Sequence, residues 1–340
     1  MTRRLAIAAL AALASVAATA ANAQEVTLKG ITAFAEKTFN SRAFERFIEK
    51  LNADGKGQVQ INYIGGPKAM PPFEVGNALK SGVVDIANVT GAFYTNVFVE
   101  SDAWKLAERP MSELRRNGGF DYMAKLYDEK MNAIFLVRTL VNTPFHLYLT
   151  KPITKADLTG FKLRITPVYR DFFTALGATV VQTAPGEVYT ALERGVVDGY
   201  GWPIGGIFDF GWHEKTKYRV DPGFYRAEVS ILINKATWGK LSDAQRKVIT
   251  DAAAMIEAEW PAIENKEVAE EIRAAEAGGH PGDRVQGYGR PGLPRPGLRG
   301  RLGRNHQAEP GARAEAQGVF LQSEVIGREM NGEGADATRV

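Results

Sequence analysis

Apolar positions recur along most of this chain with two alternating periods, the pattern of strands interleaved with helices. "EVTLKGITAF" opens as a strand, and in the "NSRAFERFIEKLNADGKG" that follows, Phe44, Phe47, Ile48 and Leu51 share one helical face. "QVQINYIGG", "KLRITP" and "AEVSILINKATW" read as further strands. Strands alternating with amphipathic helices predict an α/β sheet protein. From "LSDAQRKVIT" the pattern is helical to about Ala277, opened by a capping box of Ser242 and Gln245 and crossed by Pro261. The proline is expected to kink or divide that helix, which is long enough to brace two lobes.

One phrase occurs twice. "EVGNALKSGVVD" (74–85) and "EVYTALERGVVD" (187–198) agree at eight of twelve positions. In the second copy Val188, Ala191 and Leu192 form the apolar face of a short helix, with Pro185 before it and Glu187 at its positive end. Gly195 stops the helix, "VV" reads as a short buried strand, and Asp198 ends it. The first copy repeats each step with Pro71-Pro72, Glu74, Val75, Ala78, Leu79, Gly82, Val83-Val84 and Asp85. Two similarly built α/β lobes facing each other account for the duplication. A cleft between them is where a small ligand would sit.

Length and composition fit this picture: 340 residues, 45% hydrophobic and 24% charged, are ordinary for two globular lobes. The formal net charge of +3 comes with no basic stripe, which argues against nucleic acid as a partner. The start, "MTRRLAIAALAALASVAATAANAQ", has a charged n-region at Arg3-Arg4, an apolar stretch from Leu5 to about Ala18, and a small-residue site at Ala21-Asn22-Ala23. Residues 1–23 are therefore expected to be a cleavable signal peptide. No other segment is long and apolar enough for a membrane span, so the mature protein is expected not to be membrane-embedded. Cysteine is absent, which excludes a disulfide framework.

The sequence offers no catalytic or metal-ligating constellation. His146, His213, His280 and His306 lie far apart, Gly65-Gly66 lacks a following GK[ST], and no G-x-S-x-G appears. No enzyme activity, cofactor or metal is expected. Arg164 stands apart, on a pattern in which Phe161, Leu163 and Ile165 alternate with Lys162 and Arg164. It is either a solvent-facing arginine on an edge strand or a guanidinium fork presented to a carboxylate in the cleft. Aromatic residues gather around the second copy of the phrase: Tyr189, Tyr200, Trp202, Phe208, Phe210 and Trp212. Such rings are core by default, but "YGWPIGG" is a glycine-rich loop, where a large ring more often faces a pocket.

"TKPITKADLTGFKLRITP", followed by "FTALGATVVQTAPGEVYTALERGVVDG", resembles the solute-binding proteins of tripartite ATP-independent periplasmic (TRAP) transporters, of the DctP type, over about Glu25 to Ala277. The resemblance implies a two-lobed, type II-like periplasmic binding-protein fold that closes on one organic acid. It further implies delivery of that acid to the small and large TRAP membrane subunits. Arg164 matches the arginine of the K-x-R motif that pairs with the ligand carboxylate. Where many dicarboxylate-binding members continue VVDG into Q-E-N-P, this chain reads "VVDGYGWP" and places Trp202 at the asparagine. The exchange predicts a monocarboxylate with an apolar or aromatic body held by Arg164 against Trp202 and Tyr200. Tyr189, Phe208, Phe34, Met70 and Tyr94 are further candidates. A periplasmic ligand sensor serving a membrane receptor is the alternative. The expected division is a first lobe from 24–145 with 234–277 and a second from 146–233.

The tail from 278 to 340 breaks the pattern. Eighteen lysines run up to Lys266 and none follows, whereas ten arginines do. Codons can be chosen for "LRGRLGRNHQ" that, read one base later, spell Y-E-A-G-W-A-E-I-I-K, similar to the A-Y-x-A-G-W ending of the family. "GHPGDRVQ" under the same shift permits the strand V-I-Q-V-I-E-F-K. A tail translated out of frame, and disordered, is the expectation.

Overall fold

The computed structural model describes residues 24–107, 109–141, 143–226 and 228–276, so the expected leader and tail lie outside the described residues. The first of two five-stranded sheets holds β1 (Val26–Thr32), β2 (Val59–Tyr63), β3 (Ile86–Val89), β4 (Ala133–Leu140) and, from far along the chain, β10 (Val229–Asn234). The second holds β5 (Pro144–Leu149), β6 (Lys162–Ile165), β7 (Thr179–Gln182), β8 (Gly199–Pro203) and β9 (Tyr218–Arg226). Their orders, β2-β1-β3-β10-β4 and β7-β6-β8-β5-β9, are one topology written twice. In each sheet three parallel strands meet an antiparallel fourth, which pairs with an antiparallel fifth. That fourth strand has crossed from the other sheet: β5 follows β4, and β10 follows β9.

The two-lobed α/β architecture is therefore present. The chain rejoins the first sheet by Val229, ahead of the expected boundary at 233/234. All six residues of β10 are buried, so their pattern gives no sign of which sheet they join.

Among the described residues the α-helices are α1 (Arg42–Asp54), α2 (Val75–Ser81), α3 (Met111–Arg116), α4 (Gly119–Lys130), α5 (Arg170–Ala175), α6 (Val188–Glu193), α7 (Lys235–Lys240) and α8 (Asp243–Glu276). The apolar face of α1 buries Phe44, Phe47, Ile48 and Leu51 between β1–β2 and Ile249, Ile256 and Trp260 of α8. Each such side chain contributes about 1.5–3 kcal/mol. Ser242 and Gln245 do form the capping box, with Gln245 N–H donating to Ser242 Oγ (3.2 Å) and Ser242 N–H to Gln245 Oε1 (2.9 Å). Pro261 does not divide α8, which runs 34 residues without a break. Its far end reaches the second lobe, where Glu271 Oε1 accepts from Gly206 N–H at 2.6 Å.

The repeated phrase builds the same device in each lobe. Glycine ends the helix in the left-handed region, Gly82 at φ +78° and Gly195 at φ +65°. The next N–H then reaches back to the last turn, Val83 to Ala78 O and Val196 to Ala191 O, both at 2.9 Å. The valine pair is this turn and not the expected strand: Val83 and Val196 are exposed, Val84 and Val197 are buried, and β3 and β8 begin after the aspartate. Each aspartate grips the neighbouring parallel strand at two points. Asp85 donates N–H to Lys29 O (2.9 Å) and accepts Lys29 N–H on Oδ2 (2.8 Å). Asp198 does the same with Lys162, at 2.6 and 3.0 Å. A methyl at Gly82 would meet nothing closer than 3.7 Å, so only backbone strain opposes it. Gly82→Ala should cost roughly 1 kcal/mol in urea unfolding.

Candidate functional site

The carboxyl ends of β1, β3, β6 and β8 converge between the lobes, the usual place for a ligand in open α/β sheets. Phe34 and Thr90 come from the first lobe, Thr166 and Trp202 from the second, and all four line one interlobe cavity. About 520 Å³ there is free of protein atoms. Phe93, Leu140, Phe145, Val168, Tyr225 and Val229 make most of the wall apolar.

Arg164 lies at this cavity with 0% exposure. β6 pairs with β7 on one side and β8 on the other, so it is not an edge strand and the solvent-facing alternative does not hold. Nε and Nη2 both donate to Thr183 O, at 3.0 and 2.8 Å. Nη1 has only a long contact, 3.5 Å, to the Tyr169 hydroxyl. Among the described residues its hydrogen-bond partners are thus a carbonyl and a phenol, neither of them a counter-ion. Burial is the dominant influence on the guanidinium and pushes its pKa down, while Tyr169, Tyr225 and Glu187 act in the opposite sense. A buried cation with no anion costs several kcal/mol unless one is supplied.

Trp202 sets its ring 5.8 Å from the Arg164 guanidinium carbon and is held edge-on by Trp212 (4.7 Å) and Phe210 (5.7 Å). Its Nε1 and the Thr166 hydroxyl are buried without a hydrogen-bond partner among the described residues. Phe34 closes the opposite wall, 5.6 Å from Phe93.

Of the residues predicted for the site, then, Arg164, Trp202 and Phe34 come together; the remaining five stand elsewhere. Tyr200 is two residues below the strand end occupied by Trp202, stacked on Tyr148 at 5.2 Å with its hydroxyl against Thr216 Oγ1 at 3.2 Å. Tyr189 faces outward and donates to Glu214 Oε2 at 2.7 Å. Phe208 packs on His213 at 4.6 Å. Tyr94 is inside the first lobe, its hydroxyl 3.1 Å from that of Tyr127. Met70 borders a separate, shallow depression beside Pro71 and Asn96. These side chains satisfy cores and surfaces, which is what clustered aromatic residues do by default.

Most of the polar lining was missed. Lys105 reaches across from the first lobe and donates to Val168 O in the second at 3.0 Å, while pairing with Asp102 and lying 5.4 Å from the Tyr225 ring centre. Glu228 is buried at the start of β10's apolar run. Asn40, Thr90, Ser101 and Thr166 add neutral polar groups. Only Thr166 carried a sequence signal, since it sits two residues beyond Arg164 on the same strand.

Comparison with known proteins bears directly on this geometry. A profile of the family described as "Bacterial extracellular solute-binding protein, family 7" (DctP) matches residues 30–279. The chain belongs to this family. Within family 7 it is 28% identical over 242 residues to a solute-binding protein of Roseobacter denitrificans, a match spanning 68% of this chain and 73% of that one. It is 24% identical over 207 residues to a monocarboxylate 2-oxoacid-binding periplasmic protein of Nostoc, spanning 58% and 56% of the two chains. The crystal structure of a TRAP periplasmic solute-binding protein from Chromohalobacter salexigens with bound D-glucuronate superposes with a TM-score of 0.71 at 19% identity, over 90% of this chain and 97% of that one. The R. denitrificans protein with bound L-galactonate gives 0.67 at 24%, over 75% and 87%. Among the described residues of this family 7 chain no helix is long and apolar enough to cross a membrane.

Proposed function

We propose that this family 7 protein is a periplasmic receptor for an organic acid with one carboxylate and an apolar or aromatic body, which it hands to TRAP membrane subunits. The buried Arg164 guanidinium, bonded to neutral oxygens alone, carries the reading. A carboxylate supplies the missing charge and takes the N–H groups that Thr183 does not use. The other cation at the cavity, Lys105, already has Asp102 beside it, which leaves the single positive charge of Arg164 for the ligand to match. Phe34, Phe93, Phe145 and Trp202 supply apolar wall for the rest of the ligand. The relatives named above support the class, because galactonate, glucuronate and 2-oxoacid monocarboxylates each present a single carboxylate. Residues 1–23 supply the export signal this location requires.

Titration calorimetry of the full chain against aliphatic and aromatic monocarboxylates tests the reading. Binding of none of them, or equal binding of neutral amides of the same acids, would overturn it. Lys105 clasps the lobes over the ligand, so Lys105→Met should weaken binding about tenfold, the worth of one charge-assisted hydrogen bond. The loss should show in stopped-flow traces as faster dissociation. We also propose that the tail from 278 onward is read out of frame, since the family match ends at 279. Resequencing the gene and an intact mass decide that point.

A further inference from the structure

We infer that Glu228 reads the end of the ligand remote from its carboxylate, accepting a hydrogen bond from an O–H or N–H there and rejecting a second carboxylate. The inference rests on the monocarboxylate reading of the cavity and narrows it to acids that carry a distal donor.

The wall of the cavity that must take an anion at Arg164 also holds two acids, Asp102 and Glu228. Glu228 is 7% exposed and stands where the chain crosses back into the first lobe. Its Oε2 accepts from Gly91 N–H at 2.9 Å and from the Thr90 hydroxyl at 3.3 Å, and its Oε1 accepts from the Ser230 hydroxyl. An ionised carboxylate has about four acceptor positions. Those contacts fill both positions on Oε2 and one on Oε1, which leaves one acceptor position at a buried site beside empty space. Anchoring the turn that starts at Gly91 accounts for Oε2 and Ser230 for half of Oε1; the fourth acceptor position has no partner among the described residues.

Among the described residues no cation forms an ion pair with this group, and burial raises its pKa against the pull of Ser230, Gly91, Arg138 and Thr90. Arg138 acts on it through space from within the first lobe, but its own Nη2 is spent on Trp104 O at 3.3 Å. The remaining acid in the wall, Asp102, is tied to Lys105. The cavity is therefore polarised. Arg164 and the unpaired Thr166 hydroxyl offer donors on the second lobe, and Glu228 offers an acceptor on the first. A ligand with a carboxylate at one end and a hydroxyl, ammonium or amide N–H at the other satisfies both ends. A dicarboxylate sets like charges together in a medium that screens them poorly.

The test is calorimetry on the full chain with linear acids of three to six carbons in matched sets, ending in methyl, hydroxyl or carboxylate. Wild type should rank hydroxyl above methyl above carboxylate, with the diacid at least a hundredfold weaker than the hydroxy acid at the best length. Glu228→Gln should shift that diacid-to-hydroxy-acid preference by at least tenfold toward the diacid. An unchanged preference in a variant that melts like wild type overturns the inference. So does a wild-type ranking with the diacid on top, a result that needs no variant to fold. Arg164→Gln separates the two levels: if it binds every acid as well as wild type does, the monocarboxylate reading fails and takes this one with it. Lost binding there with an unshifted Glu228→Gln preference sinks the role of Glu228 alone.

Discussion

Arg164→Gln is expected to weaken binding of a monocarboxylate by a hundredfold to several thousandfold, the largest effect of any single change at the cavity. The reason is asymmetric burial. With the guanidinium gone, the ligand carboxylate enters a wall of Phe34, Phe93, Phe145 and Trp202 with no counter-ion, which costs roughly 3–5 kcal/mol. Each 1.4 kcal/mol is tenfold in affinity. Arg164→Lys should rescue little, because one ammonium cannot hold Thr183 O and a carboxylate with the geometry of a planar fork. The ligand-free variant carries no such penalty, since the wild-type cation is itself buried without an anion. Ligand-free Arg164→Gln should therefore melt close to wild type while losing the thermal shift that an acid produces. Unchanged affinity in calorimetry would place the acid elsewhere.

How much of this was legible beforehand depends on the reach of each interaction. The inward face of α1 was readable because Phe44, Phe47, Ile48 and Leu51 meet their period within one helix. The duplicated phrase predicted two like lobes, and it did so because the whole device is local: helix, left-handed glycine, returning N–H, gripping aspartate. The details of that device were misread where a turn and a strand look alike, as at Val83-Val84, since two valines have no period. Arg164 was placed on a strand correctly, yet alternation could not choose between solvent and cavity. β6 is four residues long and covered on both sides, and what decides is the neighbouring strands, which the sequence does not order. Glu228 was invisible for a plainer reason. Its partners Gly91 and Thr90 lie 137 and 138 positions back, and no window along the chain joins them. Lys105 is the same case, bonding to Val168 O 63 positions on. Tyr200 and Trp202 show the limit of composition: the same strand carries both rings, and two residues of depth separate core from cavity.

The second large effect is expected far from the cavity, where α8 meets the second lobe. Glu271 Oε1 accepts from Gly206 N–H, and Oε2 is buried without a partner. Burial foremost, then Asp209 and Glu267, push its carboxyl up to about 7, against the pull of the Gly206 N–H and Arg42. Arg42 cannot offset them, because its Nε and Nη2 already bond Glu267 and its Nη1 lies 3.6 Å from Asp209. An ordinary glutamate of the unfolded chain titrates near 4.5. Between 4.5 and about 7 the folded protein therefore holds a proton that the unfolded chain has released, so stability falls as pH rises through that window. The two titration points set the total loss at about 3 kcal/mol, complete above pH ~8. Glu271→Gln keeps the acceptor for Gly206 and cannot ionise. It should match wild type in urea unfolding near pH 4.5 and exceed it by up to about 3 kcal/mol at pH ~8, flattening the profile between. Parallel profiles for the two proteins would mean that this carboxyl is ionised at neutral pH and already paid for by solvent, and that the contact between α8 and the second lobe has no part in the pH response.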